Sequence, residues 1–414
     1  MIPRLQPAQC MWRKLMVAAL LHLGSIQVCF AITAEHRTLY VSPSATGTRD
    51  GTSWDNAGSL DMLSLFISRV GAGGTILLRA DAGPYRTERQ ISIRSGGSPN
   101  APVTIAGANI SGTPARALIE GNRSEPWTVG SNPGSEAFRL ESGANYLRFE
   151  SLTFQNQGNG CFRVSSDVQG LELQDIDARN VRRFFENGPG TADKIASVTG
   201  LTIRRVTVRG YSKGAIRLSG NSSDIIIEDV MGDSERQDGD DFAIGVALQG
   251  SVKNVLLRRV TMMNSQDTTH GYWNGDGFAT ERHVSGVRFE DTVAAGSTDG
   301  GYDIKSSETI LMRTRAEDNM RNYRIWGNVK VVDCISRDPN KRGGNGKQNH
   351  FWVAKDARVE ISGCRIEGGD ARTIAFQIES KGEVIVRDSE ISIGPDARMS
   401  LIETGGSLDS RGIQ

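Results

Sequence analysis

The eight residues Leu201–Val208, LTIRRVTV, recur with small changes along most of the chain. Related copies begin at residues 147, 171, 225, 255, 287, 310, 329, 359 and 384, so successive starts are 19 to 32 residues apart. Each copy alternates apolar and polar residues, turns at a charged or glycine pair, and resumes with another apolar position. This pattern is typical of a strand, a bend and a second strand.

A repeat of this length is too short to bury its own apolar face, so each copy must stack on its neighbours. The sequence therefore predicts an all-β fold, a right-handed parallel β-helix with about one coil per repeat. The amphipathic segment 60–70 is expected to cover the open N-terminal end of the helix, because an uncovered end would expose strand edges and apolar core.

The chain is predicted to have four parts. Residues 1–31 are expected to form a signal peptide, because Arg13 and Lys14 precede an apolar run and small residues follow it. A membrane anchor is the alternative, although polar residues interrupt the run. We expect cleavage, and a secreted or periplasmic protein. Residues 32–90 are predicted to form a cap and the first strands, 91–395 the β-helix, and 396–414 a C-terminal tail.

Charge and cysteine content exclude several classes of protein. The 414 residues include 48 basic and 48 acidic side chains, a balance that indicates neither a nucleic acid nor an anionic membrane as the partner. After signal cleavage Cys161, Cys334 and Cys364 remain, without metal-ligand spacing. Cys334 and Cys364 fall in one column of successive repeats, which favours simple interior stacking, with a disulfide between them as the alternative.

A second strand between the repeats is aligned by its aromatic residue, which the alternation predicts to face inward. The aligned aromatic residues are Phe242, Phe278, Tyr302, Tyr323 and Phe351. One outward column then contains Ala243, Ala279, Asp303, Arg324 and Trp352, and the next contains Glu281, Lys305 and Trp326. Asp276 and Asp299 precede the strand in adjacent coils, so we expect carboxylates and a guanidinium to meet on one face.

Two interpretations of this cluster are open. Carboxylates, a guanidinium and flat aromatic surfaces from Trp273, Trp326 and Trp352 together suit an acidic sugar chain. Alternatively, Asp303 with Arg324 and Glu281 with Lys305 are ordinary ion pairs on a solvated sheet. Further candidates are the carboxylates of a neighbouring polar loop and three histidines without metal-ligand spacing, namely Asp238, Asp240, Asp241, His270, His283 and His350.

The segments 274–305, NGDGFATERHVSGVRFEDTVAAGSTDGGYDIK, and 322–327, NYRIWG, resemble the central coils of the family 9 polysaccharide lyases. This family includes calcium-dependent pectate lyases built on a right-handed parallel β-helix. The resemblance implies that Asp276, Asp299 and Asp303 bind calcium and that Arg324 stands where the family has its catalytic lysine. Gly300 replaces one further calcium ligand of the family.

The resemblance predicts an exported polysaccharide lyase that cleaves an acidic polymer by β-elimination, as a monomer. Calcium would neutralise the uronate carboxylate and Arg324 would remove the C5 proton. Without a metal, Lys305 and Arg324 could neutralise the carboxylate, with Tyr302, Tyr323 or His350 as the base. Tyr323 and the three tryptophans are also the predicted substrate contacts. The alternatives are a hydrolase or uronate epimerase on the same fold, and a non-catalytic polysaccharide-binding or assembly protein.

Overall fold

Successive copies of the repeat pair with each other in parallel register. Leu147 pairs with Leu171, Leu171 with Leu201, and Leu201 with Ile225. The computed structural model describes residues 38–191 and 194–412, which build a parallel β-solenoid of about 12 turns. The predicted parallel β-helix is therefore confirmed. The predicted signal peptide lies outside the described residues, and export stays a prediction.

The first half of the described chain contributes both short strands and long strands that run through the bends of the solenoid. In chain order these strands are β1 (Thr38–Val41), β2 (Thr75–Arg79), β3 (Tyr85–Arg86), β4 (Ile91–Ile93), β5 (Val103–Ala108), β6 (Ala117–Glu120), β7 (Phe138–Leu140), β8 (Leu147–Gln155), β9 (Phe162–Val164), β10 (Val168–Asn187), β11 (Pro189–Thr191), β12 (Lys194–Ile195), β13 (Val198–Leu218), β14 (Ser223–Asp233), β15 (Ile244–Leu248) and β16 (Lys253–Met263). Among them, β11 and β12 form a small antiparallel pair apart from the solenoid ladder.

The second half continues with shorter strands. They are β17 (Asp276–Thr280), β18 (Ser285–Glu290), β19 (Val293–Ala295), β20 (Gly300–Ile304), β21 (Thr309–Met312), β22 (Arg315–Glu317), β23 (Arg321–Ile325), β24 (Val329–Val332), β25 (Ile335–Arg337), β26 (Gln348–Val353), β27 (Arg358–Ser362), β28 (Arg365–Gly368), β29 (Thr373–Ile378), β30 (Glu383–Arg387), β31 (Glu390–Ile393), β32 (Arg398–Ile402) and β33 (Ser407–Arg411). Every third strand pairs in parallel, so each coil contributes one strand to each of three faces.

One short α-helix, α1 (Leu63–Val70), follows two 3-10 turns at Trp54–Asn56 and Leu60–Met62. Its apolar side buries Leu63, Phe66, Ile67 and Val70. The helix packs against β1, β2 and β4, the first strands of the solenoid. The amphipathic segment predicted to cover the N-terminal end therefore does so. In the part of the chain that the structure describes, no helix has the length and apolar character needed to span a membrane.

The predicted bend of the repeat is a single residue in the left-handed backbone conformation. At this position charged side chains alternate between successive coils, with φ values from 52 to 56° at Asp175, Arg205, Asp229, Arg259, Asp291, Arg313 and Asp333. Each arginine makes a two-pronged contact with the aspartate of the coil before it. The pairs are Arg205 with Asp175, Arg259 with Asp229 and Arg313 with Asp291, with the closest N–O distances between 2.6 and 2.7 Å.

The interior holds a stack of aromatic rings that confirms most of the predicted alignment. Phe278, Tyr302, Tyr323 and Phe351 are in register and stack with centroid distances of 4.7 to 5.2 Å. Phe376 extends the stack by one coil. The stack is fully buried, so this face of the solenoid is anchored by side chains that point away from solvent.

Cys334 and Cys364 lie in one interior column, as the repeat predicts. Their Cα atoms are 4.4 Å apart, and the two sulfur atoms form a disulfide between adjacent coils. The favoured interpretation of simple stacking was therefore wrong, and the alternative holds. Cys161 is buried and has no disulfide partner among the described residues.

Three details of the predicted organisation differ from the structure. Phe242 lies outside the aromatic stack, because Val246 is the residue that pairs with Phe278. The outward column accordingly contains Ala247 where Ala243 was expected. The repeat copy assigned to residue 310 begins at Thr309, which pairs with Val329. Residues 398–402 and 407–411 of the predicted tail form β32 and β33, which add a further coil to the solenoid.

Candidate active site

The predicted carboxylates and the arginine meet on the outer side of the aromatic face. Ala279, Asp303, Arg324 and Trp352 are in register in four successive coils. Asp276 opens β17, and Asp299 immediately precedes β20. Alternation turns Asp303 and Arg324 outward because the aromatic residues beside them fill the core. Asp276 has the parity of the inward Phe278, so its place at the start of β17, and not the alternation, brings it to the same cavity. We refer to Asp276, Asp299, Asp303, Arg321 and Arg324 as the charge cluster.

Asp299 lies at the centre of the charge cluster and is fully buried. Its Oδ1 accepts hydrogen bonds from Arg321 Nη1 at 2.8 Å and from the Tyr272 hydroxyl at 2.7 Å. Its Oδ2 accepts one from Arg324 Nη1 at 2.8 Å. Burial raises the pKa of Asp299, while Arg324 and Arg321 oppose that rise. Two guanidinium groups therefore compensate one buried carboxylate.

Asp276 is a second buried carboxyl, and its environment favours the protonated form. Burial raises the pKa of Asp276 well above its ordinary value, and the charges of Asp299 and Asp303 raise it further. Its Oδ1 accepts the backbone N–H of Gly300 at 2.7 Å. A Cβ atom at position 300 would lie 2.9 Å from this same oxygen. A side chain at position 300 would therefore have to displace the Asp276 carboxyl from this close contact.

Arg324 lies between the carboxylates and an aromatic ring. Its guanidinium carbon is 4.8 Å from the centre of the Trp326 ring, and its Nε is 3.8 Å from Asp303 Oδ1. Burial works to lower the pKa of Arg324, but the nearby Asp299 and Asp303 outweigh burial, so the pKa is raised. This environment favours the charged guanidinium, which binds anions and does not accept a proton.

Lys305 supplies a second cation beside Asp303. Its Nζ lies 2.7 Å from Glu281 Oε1 and 3.5 Å from Asp303 Oδ2. Burial opposes the charge of the ammonium, but Asp303 and Glu281 outweigh it and raise the pKa of Lys305. Asp303 also accepts a hydrogen bond from Trp326 Nε1 at 2.7 Å. Asp303 is thus held between two cations and an indole N–H.

Several of these groups line one open cavity of about 410 Å³, whereas Asp299 and Arg321 lie outside its lining. The charged and aromatic side chains in its wall are Phe242, Asp276, Glu281, Asp303, Lys305, Arg324 and Trp326. The floor is made of small or aliphatic residues from neighbouring coils, including Ala247 and Ala279. Asp276, whose pKa is raised by burial, therefore faces the same space as two other carboxyl groups and two cations.

Several predicted substrate contacts and bases lie elsewhere. Tyr302 and Tyr323 point into the core, where their hydroxyls bond to Thr292 and Thr314. The prediction of Tyr323 as a substrate contact, and of either tyrosine as a base, was therefore wrong. His350 is also buried and bonded to Ser336, and burial lowers its pKa to about 4.

The tryptophans are less exposed than predicted. Trp352 is only 6% exposed and packs edge-on against Trp326, with ring centres 4.6 Å apart. Trp273 packs against the backbone of Gly343 and Gly344, where a Cβ atom would overlap its indole ring. Of the three predicted tryptophans, only Trp326 lines the cavity. Trp352 and Trp273 therefore do not line the cavity.

The sequence analysis missed Arg321, a member of the charge cluster, and Tyr272, whose hydroxyl donates to Asp299. Tyr272 lies in the loop between β16 and β17, and Arg321 is the first residue of β23. Strict alternation assigns Arg321 to the inward side together with Tyr323, but the bend before β23 turns it toward Asp299. The RNY sequence next to the recognised Arg324 was the available signal.

The loop carboxylates are engaged in holding two loops together. Asp238 accepts hydrogen bonds from Gln266 and Thr268, and Asp240 pairs with Arg182 at 2.9 Å. Asp241 contacts Thr269. These three carboxylates therefore fix the neighbouring loops and do not extend the charge cluster.

The carboxylates of the charge cluster do not fit a calcium ion in this arrangement. Calcium takes six to eight oxygen ligands, but both oxygens of Asp299 already accept hydrogen bonds from guanidinium groups. No group of three His, Cys, Asp or Glu side chains among the described residues is placed to hold a metal. The calcium requirement stays a prediction of the family resemblance, and no step below depends on it.

Comparison with known proteins places the fold among carbohydrate-active enzymes. No protein-family model matches the chain. Over 219 residues it is 28% identical to the Probable endopolygalacturonase D of Neosartorya fischeri, a match that covers 49% of this chain. The chain spans only 45% of that relative's length.

Three solved structures share the architecture. Pectate lyase Pel9A has a TM-score of 0.54 and 15% identity, covering 92% of this chain and 81% of its own. The A-module of the Azotobacter vinelandii mannuronan C-5 epimerase AlgE4 has a TM-score of 0.55 and 14% identity, covering 82% and 91%. The catalytic domain of a GH87 α-1,3-glucanase has a TM-score of 0.60 and 12% identity, covering 92% and 69%.

These similarities confirm the pectate-lyase-like parallel β-helix fold. A lyase, an epimerase and a glucanase share it, so the fold does not select one reaction. The choice among them depends on the groups in the cavity.

Proposed function

We propose that this protein cleaves an acidic, uronate-containing polysaccharide by β-elimination. The supporting observation is that Lys305 and Arg324, whose pKa values are raised by neighbouring carboxylates, line the same cavity as Asp276, whose pKa is raised by burial. Elimination requires the uronate carboxylate to be neutralised before the C5 proton becomes acidic, whereas hydrolysis of a glycosidic bond does not. A pair of cations beside a protonated carboxyl therefore favours elimination.

The step can be written with this chain's residues alone. Lys305 and Arg324 bind the uronate carboxylate and stabilise the negative charge that develops when the C5 proton leaves. The Asp303 carboxylate accepts that proton, as carboxylate bases do at carbons next to a carbonyl group. The C4–O bond then breaks, a C4–C5 double bond forms, and Asp276 donates its proton to the departing oxygen. Arg324, predicted as the base, thus becomes a binding cation.

Hydrolysis is the second candidate, and one observation favours it. Asp276, with its raised pKa, and Asp303 face the same cavity, and a protonated carboxyl with a carboxylate is the pair that most glycosidases use. In that reaction Asp276 would protonate the glycosidic oxygen, and Asp303 would activate water or attack the sugar. The weak similarity to an endopolygalacturonase is consistent with this alternative.

One assay separates these reactions. The protein is incubated with polygalacturonate and with alginate, while near-ultraviolet absorbance and new reducing ends are followed together. Elimination produces both signals in equal amounts, because every cleavage leaves an unsaturated uronate. Reducing ends without absorbance would replace elimination by hydrolysis. Solvent deuterium at C5 without cleavage would indicate epimerisation, and binding without any turnover would indicate a non-catalytic protein.

A further inference from the structure

The active-site cavity continues into a second cavity toward the N-terminus. This second cavity measures about 290 Å³ and shares Phe242, Ile244, Ala247 and Gln249 with the first. Arg217, Ala247, Ala279 and Asp303 follow one another in register along the floor. The two alanines leave the floor uninterrupted between the charged ends, so the two cavities form one groove across several coils.

The second cavity carries an excess of positive charge. Arg183, Lys213 and Arg217 line it, and Glu186 is the carboxylate in contact with the two arginines, at 2.9 and 3.8 Å. Lys213 has no carboxylate within 4.0 Å in residues 38–191 and 194–412, and its ammonium donates to the Asp241 carbonyl. Burial lowers the pKa of Lys213 and the nearby Arg183 and Arg182 lower it further, while Asp240 and Asp241 oppose this shift. An anionic ligand would relieve this repulsion.

Phe242 lies between the two cavities. Packing against the core does not explain why its side chain is exposed. Its side chain is 54% exposed, and its φ of 55° is a conformation that bulky residues rarely adopt. The Asp267 carboxylate fixes it by accepting the Phe242 N–H at 2.6 Å. A strained backbone that holds an aromatic ring at the rim of a groove indicates a role in ligand contact.

We infer that Lys213, Arg217 and Phe242 form a second binding subsite that takes a carboxylate and a sugar ring of the same acidic polysaccharide. The inference rests on the proposed function. Arg217 and Asp303 are three coils apart, a distance of roughly 14 Å at the spacing of β-strands. This distance exceeds one sugar ring, so an oligosaccharide of several residues must bridge the two subsites. Short oligosaccharides reach only one of them.

The test compares binding of a galacturonate disaccharide and hexasaccharide by calorimetry. The wild-type protein is expected to bind the hexasaccharide more tightly than the disaccharide. Lys213→Met is expected to reduce the ratio of the two affinities by about 10-fold, because Lys213 lines only the second cavity and contacts only the long ligand. Phe242→Ala is expected to reduce the ratio less, because Phe242 also borders the first cavity. Lys253→Met removes one exposed charge from another face and serves as the matched control. Thermal unfolding of every variant verifies that it is folded.

The inference is overturned if Lys213→Met and Phe242→Ala leave the affinity ratio unchanged, or if Lys253→Met lowers it equally. It is also overturned if neutral maltohexaose binds as tightly as the acidic hexasaccharide. Failure of the proposed function looks different. A wild-type protein that shows the Lys213-dependent ratio and never cleaves the polymer supports the subsite and excludes the lyase. If oligoalginates bind and galacturonate oligosaccharides do not, the same measurements are made with oligoalginates as the probe.

Discussion

Arg321 Nη1 lies 2.8 Å from Oδ1 of Asp299, and the exposed fractions of the two side chains are only 8% and 1%. The contact joins adjacent coils and supplies a positive charge at the carboxylate that the family resemblance assigns to calcium. Arg321 does not line the cavity, so it acts as a positioning residue for Asp299. The negative charge of the Asp299 carboxylate is therefore balanced largely by side chains of the protein itself.

Removal of Arg321 is expected to destabilise the protein. Arg321→Met should lower the free energy of unfolding by about 2–4 kcal/mol, because Asp299 stays buried with one guanidinium partner fewer. Denaturant unfolding monitored by circular dichroism measures the change. Arg358→Met is the matched control, because Arg358 pairs with Glu383 where both side chains are half exposed. The control should lose less than ~1 kcal/mol. Equal losses of unfolding free energy in the two variants would show that the buried pair contributes no more to stability than the exposed pair.

Calcium is expected to leave the stability of the protein unchanged. A ligand present at a hundred times its dissociation constant stabilises the folded state by about 2.7 kcal/mol, which raises the melting temperature by several degrees. Because both oxygens of Asp299 are already bonded to arginines, we expect no such rise with calcium chloride, compared with sodium chloride at equal ionic strength. The measurement is repeated with an acidic hexasaccharide. A clear calcium-specific rise would restore the metal site.

Asp276 is expected to determine the alkaline limit of activity. Because its pKa is raised in the folded protein, it retains a proton that it would lose above about pH 4 in the unfolded chain. Activity should fall as pH rises through the raised pKa, and Asp276→Asn should lose this limb and about 10²–10⁴-fold in kcat. A pH–rate profile of both proteins measures this. An unchanged alkaline limb in Asp276→Asn would exclude Asp276 as the acid.

The same shift has a consequence for stability. A raised folded-state pKa means that the native protein binds more protons than the unfolded chain between the two pKa values. The contribution of Asp276 to stability is therefore greatest at low pH and declines as pH rises from about 4 toward the raised pKa. Unfolding experiments across this pH range should show a flatter dependence for Asp276→Asn than for the wild-type protein.

Arg324 is expected to act through its charge. Arg324→Gln should lower kcat by about 10²-fold, the loss typical of one electrostatic contact to the developing charge. Arg324→Lys should recover part of this loss. The acidic limb of its pH–rate profile should lie at the same pH as in the wild-type protein. If Arg324 were the base, that limb would move to lower pH in the lysine variant, since lysine has the lower ordinary pKa. A shifted limb would therefore return the role of base to position 324.

The fold was predictable because the repeated apolar positions determine which residues of successive coils pair. Each copy places an apolar residue at the position that pairs with the next copy, so Leu147, Leu171 and Leu201 align without further information. The alignment errors lie at interior positions where the residue type differs from that in neighbouring coils. Val246 fills an interior position that the aromatic alignment gave to Phe242, and Thr309 fills one where an apolar residue was expected.

Strand alternation predicted the direction of site residues correctly in the middle of strands. Asp303 and Arg324 follow strict alternation, and their register was correct. Arg321 and Tyr272 belong to a bend and a loop, where the period of two no longer fixes direction. The burial of the tryptophans was also not predictable, because the sequence does not reveal that the backbone of Gly343 and Gly344 covers Trp273. The predicted aromatic surface is therefore smaller than expected.

The alternation of aspartate and arginine at the bend of the repeat bears on how such a chain can change in length over evolution. Each arginine from Arg205 to Arg313 is bonded to the aspartate one coil earlier. Loss or duplication of a single coil in this region would bring two like charges together, whereas a pair of coils can be gained or lost with every partner intact. A change of two coils is therefore the length change that preserves these contacts.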